Sequence, residues 1–206
     1  MRNVFRNLAL PAAAIALVMA VSVTSAVAQD DAFTVGYYSN ANTTGAPDAH
    51  LRLTNDGNTG TDLWANIYVF NNNEEMEECC SCEVTPDGYL DLDLNSDLLG
   101  APLVPADAST SGIIKVISDS AANNETAPHP SPGLRGWITH IQTAVTKFPN
   151  GDEIPEYSVT ESDLKDSKLS KNEEATLAST CNFVLAEGSG VVGQCSCALP
   201  GVVVLK

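Results

Sequence analysis

The sequence predicts a mainly β fold: an antiparallel, sandwich-like single domain with one C-terminal α-helix, cross-linked by disulfides. Three observations carry that prediction. Short alternating or β-branched runs recur between clusters of turn-forming residues. One late segment has the start signal and apolar stripe of a helix. Six cysteines fall into two distant groups of three, Cys79, Cys80 and Cys82, then Cys181, Cys195 and Cys197.

The first candidate strand is "FTVGYYS", residues 33–39. In "AHLRLTNDG" the alternation turns Leu51 and Leu53 to one face and Arg52 and Thr54 to the other. "DLWANIYVF" (62–70) is rich in aromatic and β-branched residues, and Asn55-Asp56-Gly57-Asn58 before it reads as a hairpin connection. The run Glu74, Glu75, Glu77, Glu78 reads as a solvated acidic turn beside the first cysteines. Further strands are expected at 88–95, 112–118, 134–142 and the C-terminal "GVVVLK" (201–206). Between them, 119–133 is polar with three prolines and reads as an exposed loop.

The helix is expected at about 170–187. Ser170 and Glu173 fit a capping box, in which each side chain satisfies a backbone donor of the first turn. Leu177, Cys181, Val184 and Leu185 recur at helical spacing and turn Cys181 toward the core, and Gly188 follows as a stop. Because helices do not alternate with strands, a parallel α/β sheet is excluded.

Residues 1–28 have the form of a cleaved Sec signal peptide. Arg2 and Arg6 precede an apolar run that ends in Ala26-Val27-Ala28, small residues that suit a signal peptidase before Gln29. The alternative, a membrane anchor, needs roughly 20 apolar residues; the clean stretch is shorter and Pro11 lies near its start. The expectation is a secreted or periplasmic chain, 29–206, forming one β-rich domain with no membrane span after cleavage. The whole chain of 206 residues carries 10 basic and 26 acidic side chains, a net charge of −16. Cleavage removes two arginines and no acid, leaving −18. Such a surface repels nucleic acid and anionic lipid, so neither is an expected partner. An extracellular ligand or association with further copies of the chain are the partner classes left.

In an oxidising compartment six cysteines most simply form three disulfides. Bridging the neighbours Cys79 and Cys80 distorts a peptide, and Cys195 and Cys197 leave too little chain for relaxed geometry. If every bridge joins one trio to the other, several pairings remain and spacing does not choose among them. Each would close a loop of about 100 residues, with roughly 4–5 kcal/mol from chain entropy for the first. The helix and C-terminal segment would then be pinned to the region around residue 80. Two other chemistries compete. Cys79 and Cys82 form C-x-x-C, but without the βαβ setting of a thioredoxin-like site; four thiolates could hold zinc, though C-x-x-C with a distant C-x-C is irregular spacing for one.

Other motifs weaken on inspection. Gly188-Ser189-Gly190-Val191-Val192-Gly193 matches G-x-G-x-x-G, yet follows a helix end, where the dipole repels phosphate. Asp91, Asp93, Asn95 and Asp97 resemble the start of a calcium loop, but Ser96 and Pro102 stand where Gly and Glu are required. The simpler reading is a strand with Leu90, Leu92 and Leu94 inward, with a non-EF calcium site at those side chains as the alternative. The histidines are His50, His129 and His140, with no G-x-S-x-G elbow or H-E-x-x-H helix beside them. A secreted hydrolase would have to use His140 or His50. No catalytic residue, cofactor or metal ligand is therefore assigned; the six cysteines are named as disulfide partners.

The blocks "LRLTNDG", "IYVF", "EECCSCEVTPDG" and "LSKNEEATLASTCNF…GSG…CSC" are similar to a set of exported bacterial proteins of unknown function with paired cysteine clusters. The resemblance spans much of the chain after residue 28. It implies that the two trios belong to one design, and it supplies no activity. The leading functional expectation is a non-enzymatic binding or structural role at the cell exterior or in the periplasm. One variant is assembly by strand addition, with "QDDAFTVGYYS" or "PGVVVLK" completing a neighbour's sheet.

Overall fold

A computed structural model describes residues 31–103, 110–121 and 129–197. The expected signal peptide, 1–28, and the expected strand 201–206 lie outside the described residues. Nine strands and one helix follow in the order β1 (Phe33–Ser39), β2 (His50–Asn55), β3 (Leu63–Asn71), β4 (Met76–Val84), β5 (Tyr89–Asp93), β6 (Ser111–Asp119), β7 (Leu134–Lys147), β8 (Glu153–Asp163), β9 (Lys165–Asp166) and α1 (Lys171–Glu187). A single π-type turn, Leu94–Leu98, follows β5. All strand pairings are antiparallel, in one sheet ordered β4-β3-β6-β1-β9 and a second ordered β5-β2-β7-β8.

The main core lies between the two sheets. Leu51, Leu53, Leu90, Leu92, Leu134 and Ile138 from the second sheet meet Ala65, Ile67, Val69, Ile114 and Val116 from the first. The second sheet shows the alternation expected of a sheet with one wet face. Leu51 and Leu53 are buried while His50, Arg52 and Thr54 between them are half-exposed. The first sheet is covered on both sides, because α1 packs on its outer face through Leu177 and Val184 against Phe33, Tyr68, Met76, Cys79 and Ile117. Double coverage explains why β3 is buried along nearly its whole length.

The helix forms where the sequence indicates, with the Ser170 half of the expected capping box. Ser170 Oγ accepts the Glu173 backbone N–H at 3.1 Å, and Glu173 in turn reaches Lys115 on β6, fixing the helix start to the sheet. Gly188 ends the helix without adopting a left-handed conformation; a Cβ there would lie 1.9 Å from the Val192 carbonyl oxygen, so glycine is required by close approach of the chain to itself. Ser189, Gly190 and Gly193 take the positive φ values of the turn that follows. The G-x-G-x-x-G letters are thus the reversal that sends the chain back toward β4.

Three expectations need correction. Asn55–Asn58 is not a hairpin: β2 and β3 belong to different sheets, so this turn carries the chain across the sandwich. Only half of the acidic run is a solvated turn: Glu74 and Glu75 are exposed between β3 and β4. Glu77 and Glu78 lie within β4 and are buried, at a bulge where Val69 pairs with Glu78 and Phe70 with Met76, leaving Glu77 as the extra residue. The segment 134–142 is only the first part of a longer ribbon, since β7 continues to Lys147 and pairs with β8 from Trp137 to its end.

The chain passes from the second sheet to the first at Leu164, between β8 and β9. Its side chain plugs the gap between Gly36 and Gly136; a Cβ on either glycine would lie 2.5 Å from a Leu164 methyl carbon. Small residues on both sheets and one large residue in the crossover form a single packing unit.

Candidate functional site

The two cysteine trios meet at β4. Strand alternation turns Cys79 to the helix face, opposite Tyr68, and Cys80 and Cys82 to the other face, opposite Ile67 and Ala65. Cys79 bonds Cys181 of α1, Cys80 bonds Cys195, and Cys82 bonds Cys197, with Cα separations of 5.8, 5.3 and 5.4 Å. Every bridge therefore joins one trio to the other, in chain order. The segment 193–197 lies along the outer edge of β4: Cys79 donates its N–H to Gly193 O at 3.0 Å, and Cys195 donates to Cys79 O at 3.3 Å. Cys79 and Gln194 form a parallel bridge. The C-x-C of one segment is thereby laid beside the C-x-C of the other. All six sulfurs are in disulfides, so the thiolate zinc reading is overturned in this oxidised state, although Cys80, Cys82 and Cys197 lie within 4.8 Å of one another.

The candidate calcium ligands do not converge. Asp91 accepts from His50, Arg52 and Tyr89, and Asp93 pairs with His50 Nδ1 at 3.0 Å. Asn95 Oδ1 accepts the Asn42 N–H, and Asp97 Oδ2 accepts the Asp93 N–H. Each is used by neighbouring protein donors, two on the wet face of the second sheet and two at the π-type turn. His50 Nδ1 thus lies 3.0 Å from each of two carboxylates, and Arg52 extends the network to Glu161 on β8. His129 lies at the neck of the Pro-rich loop, where its N–H is held by Asp119 Oδ2.

His140 sits in a more enclosed place. It lines a cleft of about 290 Å³ with Tyr37, Ile113, Ile138, Ser162 and Asp163. Its Nε2 lies 2.7 Å from Ser162 Oγ, and its ring stacks on Tyr37 with centroids 4.0 Å apart. Burial pushes its pKa below the usual histidine value, with the Tyr37 backbone acting in the opposite direction. A histidine–serine contact alone is not a hydrolytic device. The base here is weakened, and no carboxylate is hydrogen-bonded to it among the described residues, so nothing orients or charges the imidazole as a triad acid would.

β8, like β4 and the two-residue β9, is a strand that the sequence does not reveal. "EIPEYSVTESD" mixes acids and a proline with scattered apolar residues, which hides its period. It is an edge strand of 11 residues, exposed along most of its length. By contrast the β4 edge is covered by 193–197, and the edge strands β5 and β9 have five and two residues. No protein-family model matches the chain, and neither does any curated protein or solved structure.

Proposed function

We propose that this is an exported, disulfide-stapled β-domain with a non-enzymatic binding or structural role at the cell exterior or in the periplasm, and that it assembles by strand addition. One observation carries the reading: the edges of the two sheets are treated oppositely. The β4 edge is closed by a segment held with covalent bonds, whereas the β8 edge is long, exposed and, among the described residues, without a strand beside it. Exposed strand edges are docking templates unless they are blocked. Three cross-links joining remote parts of the chain suit an oxidising compartment, and no helix among the described residues is long and apolar enough to cross a membrane.

The hydrolase alternative draws on the contact between His140 and Ser162, and the weakened imidazole without an acid partner argues against it. The test of export is the intact mass of the native protein recovered from periplasm and culture medium. The expected mass begins at Gln29 and lacks the six hydrogens lost in forming three disulfides. A mass that retains residues 1–28, in a cytoplasmic fraction, contradicts it.

A further inference from the structure

We propose that the outer edge of β8, from Tyr157 to Asp163, accepts residues 201–206 of a second copy as a fifth strand of the second sheet. This rests on the assembly reading above and names its donor and acceptor.

The acceptor follows from the hydrogen-bond register. Leu164 donates its N–H to Gly136 O at 2.9 Å, and β7 and β8 pair so that Trp137 lies opposite Asp163. In an antiparallel ladder the bonding direction alternates, so even-numbered residues of β8 bond to β7 and odd-numbered ones point outward. The outward donors are the N–H groups of Tyr157, Val159, Glu161 and Asp163. Pro155 occupies an outward position too, where its missing N–H costs the β7 ladder nothing and ends the usable edge. Seven residues remain, enough to pair a six-residue strand, and Val159 offers a side chain 56% exposed.

Of the two donor segments that the sequence offers, one is already spent. Residues 33–39 are β1, paired with β6 inside the first sheet. "GVVVLK" is left; it is β-branched, carries Lys206 and has no acidic side chain. Charge selects it over a second β8. Pairing two β8 strands antiparallel about Ser158 would set Glu153 against Asp163, like against like, on a strand that also holds Glu156 and Glu161. The tail meets those carboxylates with a lysine. Nine residues, 198–206, follow Cys197, which is tied to β4, the terminal strand of the first sheet. Fully extended they reach about 30 Å. Donor and acceptor are different surfaces of one molecule, so the contact is head-to-tail and propagates.

The test is complementation between two blocked chains, read by sedimentation velocity. Val159→Pro removes an outward N–H and leaves the bonds to β7, so this chain can only donate; a chain lacking 201–206 can only accept. The full chain is expected to form concentration-dependent oligomers, each blocked chain alone to be monomeric, and their mixture to form a one-to-one dimer. Val203→Pro, a change in the donor outside the described fold, should weaken association at least tenfold. Oligomers that persist in Val159→Pro, association undiminished in Val203→Pro, or a mixture that stays monomeric, overturn the assignment of donor and acceptor. A full chain that is monomeric throughout overturns strand addition itself, while the mass test of export is unaffected.

Discussion

Replacing Cys79 and Cys181 together by alanine is expected to lower the unfolding free energy by about 3 kcal/mol, more than removing either of the other bridges. The reason is topological. With Cys80–Cys195 and Cys82–Cys197 intact, the remaining freedom released is that of the chain between Cys181 and Cys195, a loop close to 15 residues. Deleting only Cys80–Cys195, or only Cys82–Cys197, frees a loop of very few residues, because its neighbour two positions away closes nearly the same circuit. The expected cost is about 2 kcal/mol or less. Removing both together gives up that small loop and then one of about 15 residues, about 5 kcal/mol in all, and removing all three also gives up the loop of about 100 residues, about 10 kcal/mol in the chain-entropy model. The cost of the pair of C-x-C bridges is therefore not the sum of two independent deletions. Urea denaturation of the single, double and triple variants reads this directly. Equal costs for the three single deletions would contradict the arrangement.

The same bridges show what is legible in the sequence. Export chemistry and the size of the chain point to three disulfides joining the two trios, and that is the arrangement found. The pairing order stays open at that level because the acids of β4 argue for a turn and hide the strand. Once Met76–Val84 is a strand, alternation puts Cys79 alone on one face and Cys80 with Cys82 on the other. A lone cysteine on a helix then matches the former, and a C-x-C in extended backbone matches the latter. The helix is readable because its signals are local: a cap at Ser170 and a stripe through Leu177 and Val184. The strands with inward leucines are readable for the same reason, as at Leu90 and Leu92, although β5 stops at Asp93 and Leu94 is buried from the π-type turn that follows. β8 is not, since an exposed edge buries too little to impose a period, and the contact of His140 with Ser162 depends on a pairing that spans 22 residues. The sheet change at Asn55–Asn58 is hidden because local turn chemistry does not record which sheet the next strand joins.

The second large effect is a pH dependence centred on Glu78. Burial raises its pKa from the ordinary 4.5 to about 7; the Ala101 N–H bound to Oε1 opposes this, and neighbouring Glu77 adds to it. The other oxygen, Oε2, is buried without a hydrogen-bond partner among the described residues. A carboxyl whose folded-state pKa is raised binds its proton more tightly when folded. Its contribution is therefore fully present below pH 4.5 and is lost as pH rises through about 7. The loss amounts to about 3 kcal/mol at most, since each tenfold gain in proton affinity on folding is worth roughly 1.4 kcal/mol. Glu78→Gln removes the titrating group, so its stability should change less between pH 5 and pH 8 than that of the parent protein. The difference in slope is the readout, because the amide introduces a buried N–H₂ that affects absolute stability in its own right. Parallel pH profiles for the two proteins would contradict the assignment. The effect joins sequence to fold at one place, because the bulge that buries Glu77 and Glu78 stands directly before the first bridged cysteine.

The central claim is that two remote segments are tied, trio to trio and in order, into one β-built body. Digestion of the native protein without reduction, followed by mass identification of the linked peptides, tests it most directly. The predicted result is three links, Cys79 to Cys181, Cys80 to Cys195 and Cys82 to Cys197, with no thiol open to alkylation. Free thiols in the folded protein, or links confined within a single trio, would contradict it.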